Sequence, residues 1–166
     1  MKNYQTYRLK ERNLSLRDKY EIENEDGDTI YEVKGKWLSW GDKLTVKKPD
    51  GTLTLMIDQK QMSWRSKYAI LKDGEEIAEV SKKAGFFKQK LEIEFADGTE
   101  YEVKGNFLDR EFEVKDGRKT VAEVSKKWLS LSDTYGVRVA ASEDAAIILA
   151  VVIIIDLMLQ EEEGEE

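Results

Sequence analysis

Neither cysteine nor histidine occurs anywhere in the chain, and proline occurs once, at Pro49. Without cysteine there is no disulfide framework and no thiolate ligand for a metal. Without imidazole, the usual zinc sites and the base-activated nucleophiles of triad enzymes have nothing to be built from. Acid–base chemistry would fall to Asp, Glu, Lys, Tyr or Ser. No convergent carboxylate pair and no phosphate-cradling glycine loop stand with them. The expectation is a protein that is not an enzyme and that uses no metal or cofactor. A basic footprint for nucleic acid is lacking as well, since the formal charge is −7. Glu161, Glu162, Glu163, Glu165 and Glu166 carry most of that charge. The body is therefore near neutral, and 161–166 reads as a solvated acidic tail. The opening residues, MKNYQTYRLKERNLSL, lack the apolar stretch of a signal peptide, which predicts a cytoplasmic protein.

What the sequence does have is alternation and turns. Asp-Gly recurs at 26–27, 50–51, 73–74, 97–98 and 116–117, each between segments of alternating polarity. Asp-Gly is a strong hairpin signal because type I′ turns need positive φ, which glycine adopts freely. In KLEIEF (90–95), Leu91, Ile93 and Phe95 share one face while Lys90, Glu92 and Glu94 share the other. Pro49 stands just before a turn, where a missing N–H does no harm. This reading predicts twelve strands near 3–10, 18–24, 29–34, 42–47, 53–58, 66–72, 76–82, 87–95, 99–104, 110–115, 119–126 and 134–140. Alternation throughout implies an antiparallel sheet with one wet face. Short stretches also recur: KYEIENEDG (19–27) with KLEIEFADG (90–98), YEVKG at 31 and 101, AEVSKK at 78 and 122, and KWLS at 36 and 127. An old internal duplication accounts for the pairs spaced by about 70 residues.

The last segment, EDAAIILAVVIIIDLML (143–159), has one polar residue after Asp144, and that is Asp156. Three structures compete for it. A membrane anchor needs about 20 apolar residues and tolerates an internal aspartate poorly. A strand of this length would be unusual, despite the β-branched run Val151 to Ile155. A helix suits the entry, with Ser142 as N-cap and Glu143 and Asp144 in the first turn. A helix apolar on every side must be buried on every side. Twelve strands closed into a barrel leave a lumen too wide for wall side chains to fill, and a helix about 10–12 Å across fills it. The expected fold is mainly β: a closed twelve-stranded antiparallel barrel around a central hydrophobic C-terminal helix. Residues 1–160 would form that one domain, with 161–166 as its tail. Asp156 should either reach water at a barrel mouth or meet a donor from the wall, and the mouth is favoured because Gln160 and the glutamates follow closely. On that reading Asp156→Leu is tolerated.

The segment KKWLSLSDTYGV (126–137), followed by an apolar helix ending in Asp156, resembles the LURP-one-related proteins. These are relatives of the tubby C-terminal domain and of the phospholipid scramblases. The resemblance runs along essentially the whole chain and implies the tubby-like barrel with an internal helix. It also implies a link to phospholipids, although no tubby lipid-binding motif matches here residue by residue. The expected function is a binding module recognising anionic phospholipid headgroups at a membrane surface. The candidate ligand-binding residues are the duplicated strand ends, Lys82, Lys83, Lys126 and Lys127, where solvated strand ends are the plainer explanation. A protein-binding scaffold using Trp37, Trp40, Trp64 and Trp128 is the alternative, and a tail-anchored membrane protein a second one. A monomer without a transmembrane span is expected, peripheral at the membrane if anywhere.

Overall fold

The computed structural model of the chain describes residues 3–11, 18–36, 43–60, 67–83, 90–107, 109–126 and 134–164. The strands are β1 (Tyr4–Glu11), β2 (Asp18–Glu23), β3 (Thr29–Lys36), β4 (Lys43–Lys47), β5 (Leu53–Lys60) and β6 (Lys67–Lys72). They continue with β7 (Glu75–Lys83), β8 (Lys90–Phe95), β9 (Glu100–Asn106), β10 (Glu111–Asp116), β11 (Lys119–Ser125) and β12 (Thr134–Ala140), and one helix follows, α1 (Ala145–Gly164). Each strand pairs with its sequence neighbours, and β1 closes on β12, with Tyr4 opposite Ala140 and Lys10 opposite Thr134. The barrel is closed, antiparallel and twelve-stranded. Closure removes every sheet edge, so no row of backbone groups is left open to another chain.

Alternation sets the wall. In β4 Leu44 and Val46 are buried while Lys43 is exposed, and in β10 Phe112 and Val114 are buried between Glu111 and Glu113. Because strand direction alternates around the ring, the five Asp-Gly connections all fall at one mouth, here the turn mouth. β1, β3, β5, β7, β9 and β11 end at the other. Most connections there lie outside the described residues, as do Trp37, Trp40, Trp64 and Trp128.

The Asp-Gly turns differ from the expected geometry. Only Asp73-Gly74 has both residues at positive φ, 53° and 81°, as a type I′ turn requires. At 24–28, 48–52 and 95–99 the glycine alone is left-handed. There its N–H bonds back three residues, from Gly27 to Asn24, Gly51 to Lys48 and Gly98 to Phe95. These are type I turns closed by a glycine bulge. The side chains of Asn24, Asp50 and Asp97 add bonds to amides two residues on. NEDGD (24–28) is thus a turn.

The helix runs from the turn mouth through the lumen. At 1.5 Å per residue its 20 residues span about 30 Å. Every residue from Ile148 to Leu159 is buried, and Ala150 through Ile155 are inaccessible on all sides. Burying each such aliphatic side chain is worth about 1.5–3 kcal/mol, which is why an all-apolar helix belongs here. Among the described residues no helix is long and apolar enough to cross a membrane. The N-cap is Asp144, not Ser142. Its Oδ1 accepts from the amides of Ala146 (3.1 Å) and Ile147 (3.4 Å), and the helix starts at Ala145. The helix also runs past the expected end at 159, so Glu161, Glu162 and Glu163 stand in its last turns.

The repeats acquire positions. β2–β3 and β8–β9, which carry KYEIENEDG/KLEIEFADG and the two YEVKG copies, lie six strands apart in a ring of twelve, on opposite sides. That is where a duplicated half-barrel would put them.

Candidate functional site

Where α1 leaves the lumen, the wall and the helix exchange polar groups instead of apolar ones. Asp156 is buried, at 3% exposure. Its Oδ2 accepts from the Tyr20 hydroxyl at 2.5 Å and from Gln160 Nε2 at 2.8 Å, and its Oδ1 pairs with Arg110 Nε at 3.2 Å. Gln160 also reaches Glu11 Oε1 at 2.8 Å. Tyr20 lies near the start of β2 and Glu11 ends β1, on the two sides of one connection, and Arg110 sits in the β9–β10 turn, so two connections meet the helix at this carboxylate. Arg110 adopts φ 54°, an uncommon conformation for a residue with a side chain, and Asn106 and Asp109 brace its turn. The Asp156 expectation is therefore corrected. The carboxylate lies near a mouth but meets donors from the wall, because a buried charge must be paired to be tolerated.

Two tyrosines frame this centre. Burial first, and then the charge of Asp156, push the Tyr20 hydroxyl well above its usual range. Tyr135, from β12, is raised by burial first and then by the charge of Asp156. Both therefore stay protonated, and Tyr20 donates to the carboxylate. A paired carboxylate among protonated phenols is a fastening for the helix. Tyr20, Arg110 and Gln160 carried no signal in the sequence that tied them to Asp156. Only the aspartate itself, alone in an apolar run, pointed to the place.

The lysines chosen from sequence are distributed as follows. Lys82 is half-buried in β7, opposite Leu91 and two residues beyond the buried Val80. Lys83 is the last residue of β7. Lys126 is exposed just after β11, and its amide donates to Glu111 Oε1 at 3.2 Å. Lys127 lies outside the described residues. β7 and β11 run in the same direction, so both SKK ends leave by the mouth that holds Asp156. Their hairpins are not neighbours: β8, β9 and β10 intervene. At about 4.8 Å per strand the two ends are roughly 19 Å apart along the wall. Lys34, Lys43 and Lys47 share the outer wall of β3–β4, while Glu92, Glu94, Glu100, Glu102, Glu111 and Glu113 line that of β8–β10.

A family model described as LURP-one-related matches residues 5–156. The uncharacterized protein YxjI of Bacillus subtilis (strain 168) is 37% identical over 98 residues, an alignment that spans 59% of this chain and 59% of that protein. A solved structure of an Arabidopsis thaliana protein superposes with a TM-score of 0.71 at 18% identity, covering 94% of this chain and 91% of the other. At that identity the likeness is one of fold. Among the described residues no group of acidic side chains is arranged to hold a metal ion.

Proposed function

The chain belongs to the LURP-one-related family, and from that membership and the barrel we propose that it is a non-enzymatic binding module, one that meets anionic phospholipid headgroups at a membrane surface. The observation that carries the reading is the departure of both SKK strand ends, with Lys82 and Lys126, from the same mouth. Cations about 19 Å apart do not converge on one small ligand, but they suit a plane of many headgroups. Each lysine near such a plane is worth roughly 1 kcal/mol, and salt screens the attraction. The paired centre around Asp156 keeps the apolar helix inside, so contact is peripheral. The protein would act at the cytoplasmic face of a membrane. Glu161, Glu162 and Glu163, at the same end of the helix, oppose this attraction.

Co-sedimentation with phosphatidylserine or phosphoinositide vesicles at low and high salt tests the reading. Wild type should bind at low salt and release at high salt. The variant with Lys82, Lys83, Lys126 and Lys127 changed to alanine should lose binding, and exchange of Glu161, Glu162 and Glu163 for glutamine should strengthen it. Equal binding by wild type and the four-alanine variant would turn the reading toward a protein partner.

A further inference from the structure

At the opposite end, the turn mouth holds a cleft of about 500 Å³ whose polar lining comes from Asn3, Arg118, Lys119, Thr120 and Ser142. Arg118 and Lys119 follow the Asp116-Gly117 turn between β10 and β11, and Ser142 lies between β12 and the start of α1. The Lys119 ammonium is drawn across the cleft to the Ser142 hydroxyl, Nζ to Oγ at 3.0 Å. Asn3 is fixed at the rim by its carbonyl, which accepts the Ala141 amide at 3.0 Å. Neither Arg118 nor Lys119 has a carboxylate partner among the described residues. That is notable because three carboxylates are near. Asp144 is turned onto the amides of Ala146 and Ile147, and Glu143 accepts the Tyr101 hydroxyl at 2.5 Å. Asp116 is exposed at the turn end of β10, directly across the hairpin from Lys119.

The cleft thus offers a guanidinium, an ammonium already oriented by a hydroxyl, two hydroxyls and a carboxamide, with Glu143 and Asp144 engaged elsewhere and Asp116 standing opposite Lys119 in the hairpin. A planar guanidinium grips two oxygens of a tetrahedral anion at once, and an ammonium beside it adds charge without demanding direction. We propose that this cleft binds a phosphoryl group, a phosphate monoester carried on a soluble molecule or on a lipid. The site stands apart from the SKK mouth and does not depend on it.

The experiment is an amide NMR titration of the full chain with glycerol 3-phosphate, run beside co-sedimentation with phosphatidylcholine vesicles containing phosphatidic acid. Binding should move the amide resonances of Asn3, Lys119, Thr120 and Ser142 together. Arg118→Ala with Lys119→Ala should weaken it by at least about tenfold, while Lys119→Arg retains it. Both cations are exposed, Arg118 in the turn and Lys119 as the first residue of β11, and an unchanged circular-dichroism spectrum will verify that the variants fold. Shifts with the soluble ester and no gain on vesicles assign a soluble ligand; vesicle binding lost in the double variant assigns a lipid headgroup. Either result supports the cleft. Absence of binding in both arms, or binding that survives the double variant, overturns it. The four-alanine variant at the SKK mouth should leave the titration unchanged, so the two sites fail separately.

Discussion

Replacing Asp156 by leucine removes the acceptor on which three donors converge, in a residue only 3% exposed. The Tyr20 hydroxyl has the most to lose, because its bond at 2.5 Å is buried and reaches across 136 residues. A buried donor left without a partner costs about 1–3 kcal/mol, and breaking a buried ion pair by removing one member costs about 3–5 kcal/mol. The Arg110 side chain keeps 13% exposure and further contacts, and Gln160 keeps Glu11, so both losses are cushioned. Burial of the new leucine offsets part of what is left. A net loss of about 2–3 kcal/mol follows, or roughly 4–12 °C in Tm for a chain of this size. Urea denaturation followed by far-UV circular dichroism measures it. Leucine at 156 with methionine at 110 should recover more than half, since replacing both partners of a buried pair by apolar residues is often neutral. A loss in Asp156→Leu below about 0.5 kcal/mol would mean that the carboxylate is solvated. Additive losses in the double variant would mean that the two residues are not coupled.

Gly105→Ala should destabilise by about 2–3 kcal/mol in the same assay. Gly105 sits at φ +142°, and a Cβ there would lie 2.5 Å from the Glu111 carbonyl oxygen and 2.6 Å from the Phe112 Cα; a neutral outcome would show that β9 and β10 separate freely at this point. The Asp50 carboxyl is held below its usual range by hydrogen bonds from Thr52, the hydroxyl first and the amide second. A depressed folded-state value means that this contribution is present above the unfolded carboxyl range and is lost as pH falls through the folded value. Thr52→Val should therefore raise the NMR titration midpoint of Asp50 part of the way to normal, the amide bond being retained. An unmoved midpoint would remove the hydroxyl from the account.

The twelve strands were legible because alternation and turn chemistry are local. Leu91, Ile93 and their neighbours declare a face within six residues, and each Asp-Gly supplies the left-handed position its turn needs. The helix was legible for the opposite reason: a segment with no polar side has only the interior of the barrel in which to lie. Turn type was not, since whether Asp26 or Asp73 takes positive φ depends on how many residues the two strands leave between them. The chemistry of the mouths was hidden for a stronger reason. Asp156 meets Tyr20 and Arg110 across 136 and 46 residues, and Lys119 meets Ser142 across 23. Such meetings depend on the stagger summed around all twelve strands and on how far the helix is driven along the lumen. Closing the ring fixed both, and with them which charges are paired in the dark and which face an open cleft.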